Sequence, residues 1–62
     1  MTSYFFNSSF GGKALLVELP RGGYVEDFND NTTIKFTNKQ KLWSYANTRF
    51  KGYAKYKLLE ED

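Results

Sequence analysis

Apolar and polar positions alternate most clearly in two stretches, Lys13 to Leu19 (KALLVEL) and Tyr24 to Phe28 (YVEDF), and both read as strands. Between them Pro20-Arg21-Gly22-Gly23 supplies a preset φ and glycine freedom, so the pair is predicted to be a hairpin. Charge suggests a register. With Leu19 opposite Tyr24, Val17 faces Glu26 and Leu15 faces Phe28, which gathers Leu15, Val17, Leu19, Tyr24 and Phe28 on one face. A slip of one residue would set Glu18 against Glu26, so the first register is preferred. Thr33 to Thr37 alternates Ile34 and Phe36 with Lys35 and predicts a third strand.

After Thr37 two patterns compete. Asn38 is placed to cap a helix carrying Leu42, Ala46, Phe50 and Tyr53 or Ala54 at helical spacing and ending near Gly52. Alternatively Lys41 to Ala46 and Tyr53 to Leu59 are two more strands, the last with Ala54, Tyr56 and Leu58 inward and Lys55 and Lys57 outward. The β-propensity of Trp, Tyr, Thr and Phe favours strands. The expectation is a mainly β protein, a small antiparallel meander or barrel of about five short strands. An α+β arrangement with one helix near 39–48 is the alternative. No repeat or linker interrupts the chain, so residues 1–62 are read as one domain.

Such a short chain buries only roughly 60% of the surface it exposes when unfolded. Aromatic residues, 19% of the chain, must therefore carry much of the core. There is no Cys, which removes disulfides and thiolate metal sites and points to a cytoplasmic protein, in a bacterial host cell if phage-encoded. Met1-Thr2-Ser3-Tyr4 does not open a signal peptide, and the longest apolar run, Ala14 to Val17, is too short to cross a bilayer, so no membrane partner is expected. The sequons at Asn7 and Asn31 have meaning only in a secreted chain.

Catalytic chemistry has little to build on. There is no His and no Cys, so the commonest general base, nucleophile and zinc ligands are missing. Glu18, Glu26, Asp27 and Asp30 cluster around the hairpin, but nothing else converges on them, and no enzyme activity is expected. Asp27, Asn29 and Asn31 match the opening of a calcium loop, which then fails because Thr32 replaces the turn glycine and Asn38 the closing Glu. Gly12-Lys13 resembles the end of a phosphate loop, yet Asn7 and Ala14 occupy two of its defining positions. Neither a metal nor a cofactor is expected.

The informative feature is charge distribution. Residues 1–30 set Lys13 and Arg21 against Glu18, Glu26, Asp27 and Asp30; residues 31–59 hold seven cations and no acid; Glu60, Glu61 and Asp62 close the chain. Rings are threaded through the basic block, and the residues Lys35, Lys39, Lys41, Trp43, Tyr45, Arg49, Lys51, Tyr53, Lys55 and Lys57 form the candidate partner-binding set. A strand that packs Tyr inward and turns Lys outward gives the same pattern without any partner. As a binding face it suits a protein with an acidic surface, and, as the alternative, single-stranded DNA or RNA. Lys, Asn, Phe, Tyr and Ile together outnumber Gly, Ala, Arg and Pro, the mark of an AT-rich coding sequence. The reading is a small phage or mobile-element accessory protein that docks on, and inhibits, a host or defence protein. Exposure of the rings beside the lysines separates a binding face from simple core packing.

Overall fold

The computed structural model describes residues 1–60. Five antiparallel strands and one helix follow in chain order: β1 (Thr2–Asn7), β2 (Lys13–Leu19), β3 (Gly22–Asp27), β4 (Thr32–Phe36), α1 (Lys39–Arg49) and β5 (Ala54–Glu60). The sheet order is β4-β3-β2-β1-β5, so β1 to β4 form a meander and β5 joins it beside β1. The protein is thus mainly β, and its sheet stays open, with β4 and β5 as the two edges, in place of closing into a barrel.

The hairpin lies where the alternation put it, with a register two residues away from the expected one. Leu19 pairs with Gly22, Val17 with Tyr24 and Leu15 with Glu26. The turn contracts to Pro20-Arg21 because the two glycines belong to β3, at φ +126° and +144°. Both sit against backbone: a Cβ would lie 2.2 Å from the Phe36 carbonyl at Gly22 and 2.0 Å from the Val17 carbonyl at Gly23. A shift of two conserves the side-chain faces. Leu15, Val17, Leu19 and Tyr24 therefore do share one face, and Glu18 meets Gly23, not Glu26. Phe28 lies beyond β3, its N–H donating to the Lys13 carbonyl at 3.1 Å.

Residues 41–46 are helical, not a strand. Spacing outweighs propensity here, because Leu42, Ala46 and Phe50 fall on one side of a helix and complete the core. Asn38 starts the helix by accepting the Lys41 N–H on its side-chain oxygen at 3.1 Å. β1 was not anticipated from the sequence: Phe5 and Phe6 are adjacent, so apolar residues fall on both faces and no alternation is visible. In β5 the expected faces are exchanged. Lys55 and Lys57 pair with Phe6 and Tyr4 and share their side of the sheet, whereas Tyr56 pairs with Phe5 on the other. Leu58 falls where the register shifts between Ser3 and Tyr4 and is exposed, as is Tyr56.

α1 covers one side of the sheet. Phe6, Ala14, Leu16 and Val25 meet Leu42, Ala46 and Phe50 in the buried core, bordered by Tyr4, Phe36, Trp43, Tyr45 and Tyr53. Gly23 lets the helix come close, since a Cβ there would be 3.0 Å from Leu42 Cδ2. Among the described residues no helix is long and apolar enough to cross a membrane.

Candidate functional site

The basic and aromatic residues selected from the sequence are divided by the fold. Lys35 pairs with Tyr24 and belongs to the side of the sheet that α1 leaves open. Lys39 and Lys41 are exposed on the first turn of α1, and Lys51 is exposed just after it. Trp43, Tyr45 and Tyr53 are half-buried and lean on the core: Tyr45 packs 5.4 Å from Phe36 and Tyr53 5.2 Å from Phe50, between ring centroids.

Trp43 forms a corner of its own. Its indole lies edge-on to Tyr4 at 5.0 Å, its Nε1–H donates to Glu18 Oε2 at 2.7 Å, and Lys55 Nζ stands 5.0 Å over the ring. That ring has protein partners at its edge, its N–H and one face, which leaves little of it free to stack on a base.

Two of the cations are also engaged. Arg49 Nη2 lies 3.1 Å from Asp27 Oδ2 and 3.9 Å from Asp30 Oδ2, and the Asp27 carboxylate raises the guanidinium further above its ordinary pKa. Lys57 bonds Glu60; that bond holds the Lys57 ammonium above its usual pKa and Glu60 below the usual carboxylate value. Asp27, only 2% exposed, also accepts the backbone and side-chain N–H of Asn29 on Oδ1 at 2.9 and 2.8 Å. Glu18, Asp27 and Asp30, three of the acids around the hairpin, thus make contacts within the fold. Among the described residues no group of three or more His, Cys, Asp or Glu is placed to hold a metal ion.

Among the described residues no element covers the opposite side of the sheet. Strand pairing places Phe5, Leu15, Val17, Leu19, Tyr24 and Tyr56 side by side there, with Ser3, Lys13, Glu26, Thr33 and Lys35 around them. At one end of the sheet, beside the Pro20-Arg21 turn and the last residues of β4, a cleft of 620 Å³ is lined by Leu19, Arg21, Tyr24 and Lys35 and by Phe36 from the helix side. The alternation along the chain gathers most of the β2 and β3 members of this face, and none of them except Lys35, its neighbour on β4, belongs to the basic and aromatic set. The signal was present: β2 is apolar on both sides, Ala14 and Leu16 on one and Leu15, Val17 and Leu19 on the other, and a single helix can cover only one.

The fold and this surface define a small antiparallel sheet with one helix packed on one side and an apolar opposite side. Comparison of the chain with protein-family models, curated proteins and solved structures finds no match.

Proposed function

We propose that the protein is a non-enzymatic binder that docks its open sheet face on another protein and alters that protein's activity by occupying its surface. The observation that supports this reading is the apolar face of Phe5, Leu15, Leu19, Tyr24 and Tyr56 around the buried Val17, which no element among the described residues covers. Apolar area removed from water there stabilises a complex by roughly 25 cal/mol per Å², before the costs of association. Lys13, Arg21 and Lys35 outnumber Glu26 around it, which favours a partner that is apolar at its centre and acidic at its border. The composition fits an accessory protein of a phage or mobile element, whose partner would be a host or defence protein. Direct nucleic-acid binding has less support, because the rings beside the lysines lean on the core and Arg49 and Lys57 already hold acids.

Photo-crosslinking groups placed singly at positions 19, 56 and 51 test the reading in lysate of candidate host cells. The expected result is one protein captured through positions 19 and 56, not through 51, and lost on Tyr24→Asp. Equal capture through position 51, or capture that survives Tyr24→Asp, overturns the assignment. Oligonucleotide binding that falls steeply between about 50 and 200 mM salt and ignores Tyr24→Asp would give the chain to nucleic acid instead.

A further inference from the structure

The two edges of the sheet differ in how they are protected. An edge strand offers unpaired backbone groups to another strand, and folded proteins blunt it with lysines, bulges or a covering element. β5 carries Lys55 and Lys57 and has a register shift at its pairing with β1. β4 (TTIKF) pairs regularly with β3 along its length, has one lysine and no proline, and leaves Ile34 37% exposed. α1 packs nearest β3 and β4, touching Phe36 through Tyr45, yet Thr32 to Lys35 stay exposed. The outer side of β4 is therefore open to strand addition.

We infer that the occupant is a second copy of this chain, with the two β4 strands antiparallel and Ile34 opposite its own counterpart. Two arguments favour a copy in this register. On the helix side it sets Ile34 against Ile34 and Phe36 against Thr32; on the open side it sets Lys35 against Thr33, so no like charges meet directly. It also lays the end of β4 that leads to Lys39 beside the end that begins at Asp30 in the other copy, a pairing of basic with acidic ends that the two-fold axis repeats. Pairing β4 of one copy with β5 of the next is a head-to-tail contact that does not close, across an edge that Lys55, Lys57 and a register shift protect, whereas the two-fold β4–β4 pairing uses both β4 edges and stops at two. The axis runs perpendicular to the sheet. Both helices then lie on one side, and the two open faces become one continuous surface.

The contact is one short strand from each copy, below the size of a standard interface, so association is weak. Sedimentation velocity from about 10 μM to 1 mM and amide hydrogen exchange at both ends of that range test it. A monomer–dimer equilibrium is expected, weakened at least tenfold by Ile34→Lys, which sets like charges opposite each other at the axis. Exchange at β4 amides is expected to slow with concentration while exchange at β5 amides does not. A monomer throughout, a dimer that Ile34→Lys leaves unchanged, or β4 exchange independent of concentration in the unmodified protein each overturns the inference. The last reading stands even if Ile34→Lys fails to fold. Tyr24→Asp, which addresses the open face, is expected to leave this equilibrium in place.

Discussion

Arg49, in the last turn of α1, reaches back to Asp27 at the end of β3, with 3.1 Å between Nη2 and Oδ2. The contact fastens the helix to the sheet at a carboxylate that burial would otherwise penalise. Asp27 meanwhile orders the following turn through both N–H groups of Asn29, whose own Oδ1 accepts the Lys13 N–H at 3.2 Å. Asp27→Ala removes these charge-assisted bonds together and should lower unfolding stability by about 2–3 kcal/mol, measured by urea denaturation. Arg49→Ala should lower the melting temperature too, while leaving the far-UV signature of the folded state intact. An Asp27→Ala protein as stable as the parent would show that the carboxylate is not the fastening point.

Gly23 should be the position least tolerant of a methyl group. A Cβ there meets the Val17 carbonyl oxygen at 2.0 Å and Leu42 at 3.0 Å, from a backbone at φ +144°. Gly52 also has positive φ, +89°, yet nothing lies within 4 Å of its Cβ position. Gly52→Ala should thus cost about 1 kcal/mol of left-handed strain and no more. Gly23→Ala combines strain with overlap and should cost about 3 kcal/mol or more, a large part of what so small a domain holds. Thermal unfolding of the two variants side by side checks the ordering.

How far the sequence could be read depended on what each residue had to satisfy. Strand alternation in β2, β3 and β4 was legible because local patterning and sheet faces agree there. Trp43 and Tyr45 favour strands by propensity, but the core needs Leu42, Ala46 and Phe50 on one side, a demand that exists only once the sheet has formed. The hairpin register was displaced by two because a four-residue turn was expected around Gly22 and Gly23, whereas close contacts with Phe36 and Val17 place them inside the strand. Charge in the second half of the chain was visible, but its pairing was not. Arg49 meets Asp27 across the fold, and Lys35 lies on the other side of the sheet from Lys55 and Lys57. The open face was hidden because counting covering layers requires knowing that one of the expected strands is a helix.

The exposed ion pairs set an acid-side dependence. Asp30 is held below its ordinary value chiefly by the Thr32 hydroxyl, which donates to its Oδ1 at 2.6 Å, and Glu60 is held below its own by Lys57. A carboxylate with a lowered folded pKa stabilises the fold above its unfolded value, about pH 4, and that contribution is lost as pH falls through the folded value. Lys57 has the opposite sign. Its raised value means that its contribution is complete below the unfolded value, about 10.4, and is lost as pH rises through the folded one. Carbon-detected NMR titration should place the Asp30 and Glu60 midpoints below the ordinary Asp and Glu values. Thr32→Val should return Asp30 towards its ordinary value without moving Glu60, and a shift in both would mean that the effect is not local.

Trp43 offers an internal reporter for the helix-side corner. It is the one tryptophan of the chain, and its Nε1–H donates to Glu18 in the middle of a Tyr4, Lys55 and Glu18 cluster. Glu18→Ala removes the acceptor and leaves a half-buried indole N–H to find water, which should cost about 1 kcal/mol and move the emission maximum to longer wavelength. Lys55→Ala takes the cation from over the ring and should increase access of a neutral quencher such as acrylamide, with little effect on stability. The two changes act on neighbouring groups of one cluster, so their effects on emission should not add. If the corner is structural, as its contacts with the core imply, partner capture through positions 19 and 56 should survive Lys55→Ala. Loss of capture in that variant, with the fold intact, would move the binding surface from the open sheet face to the helix side.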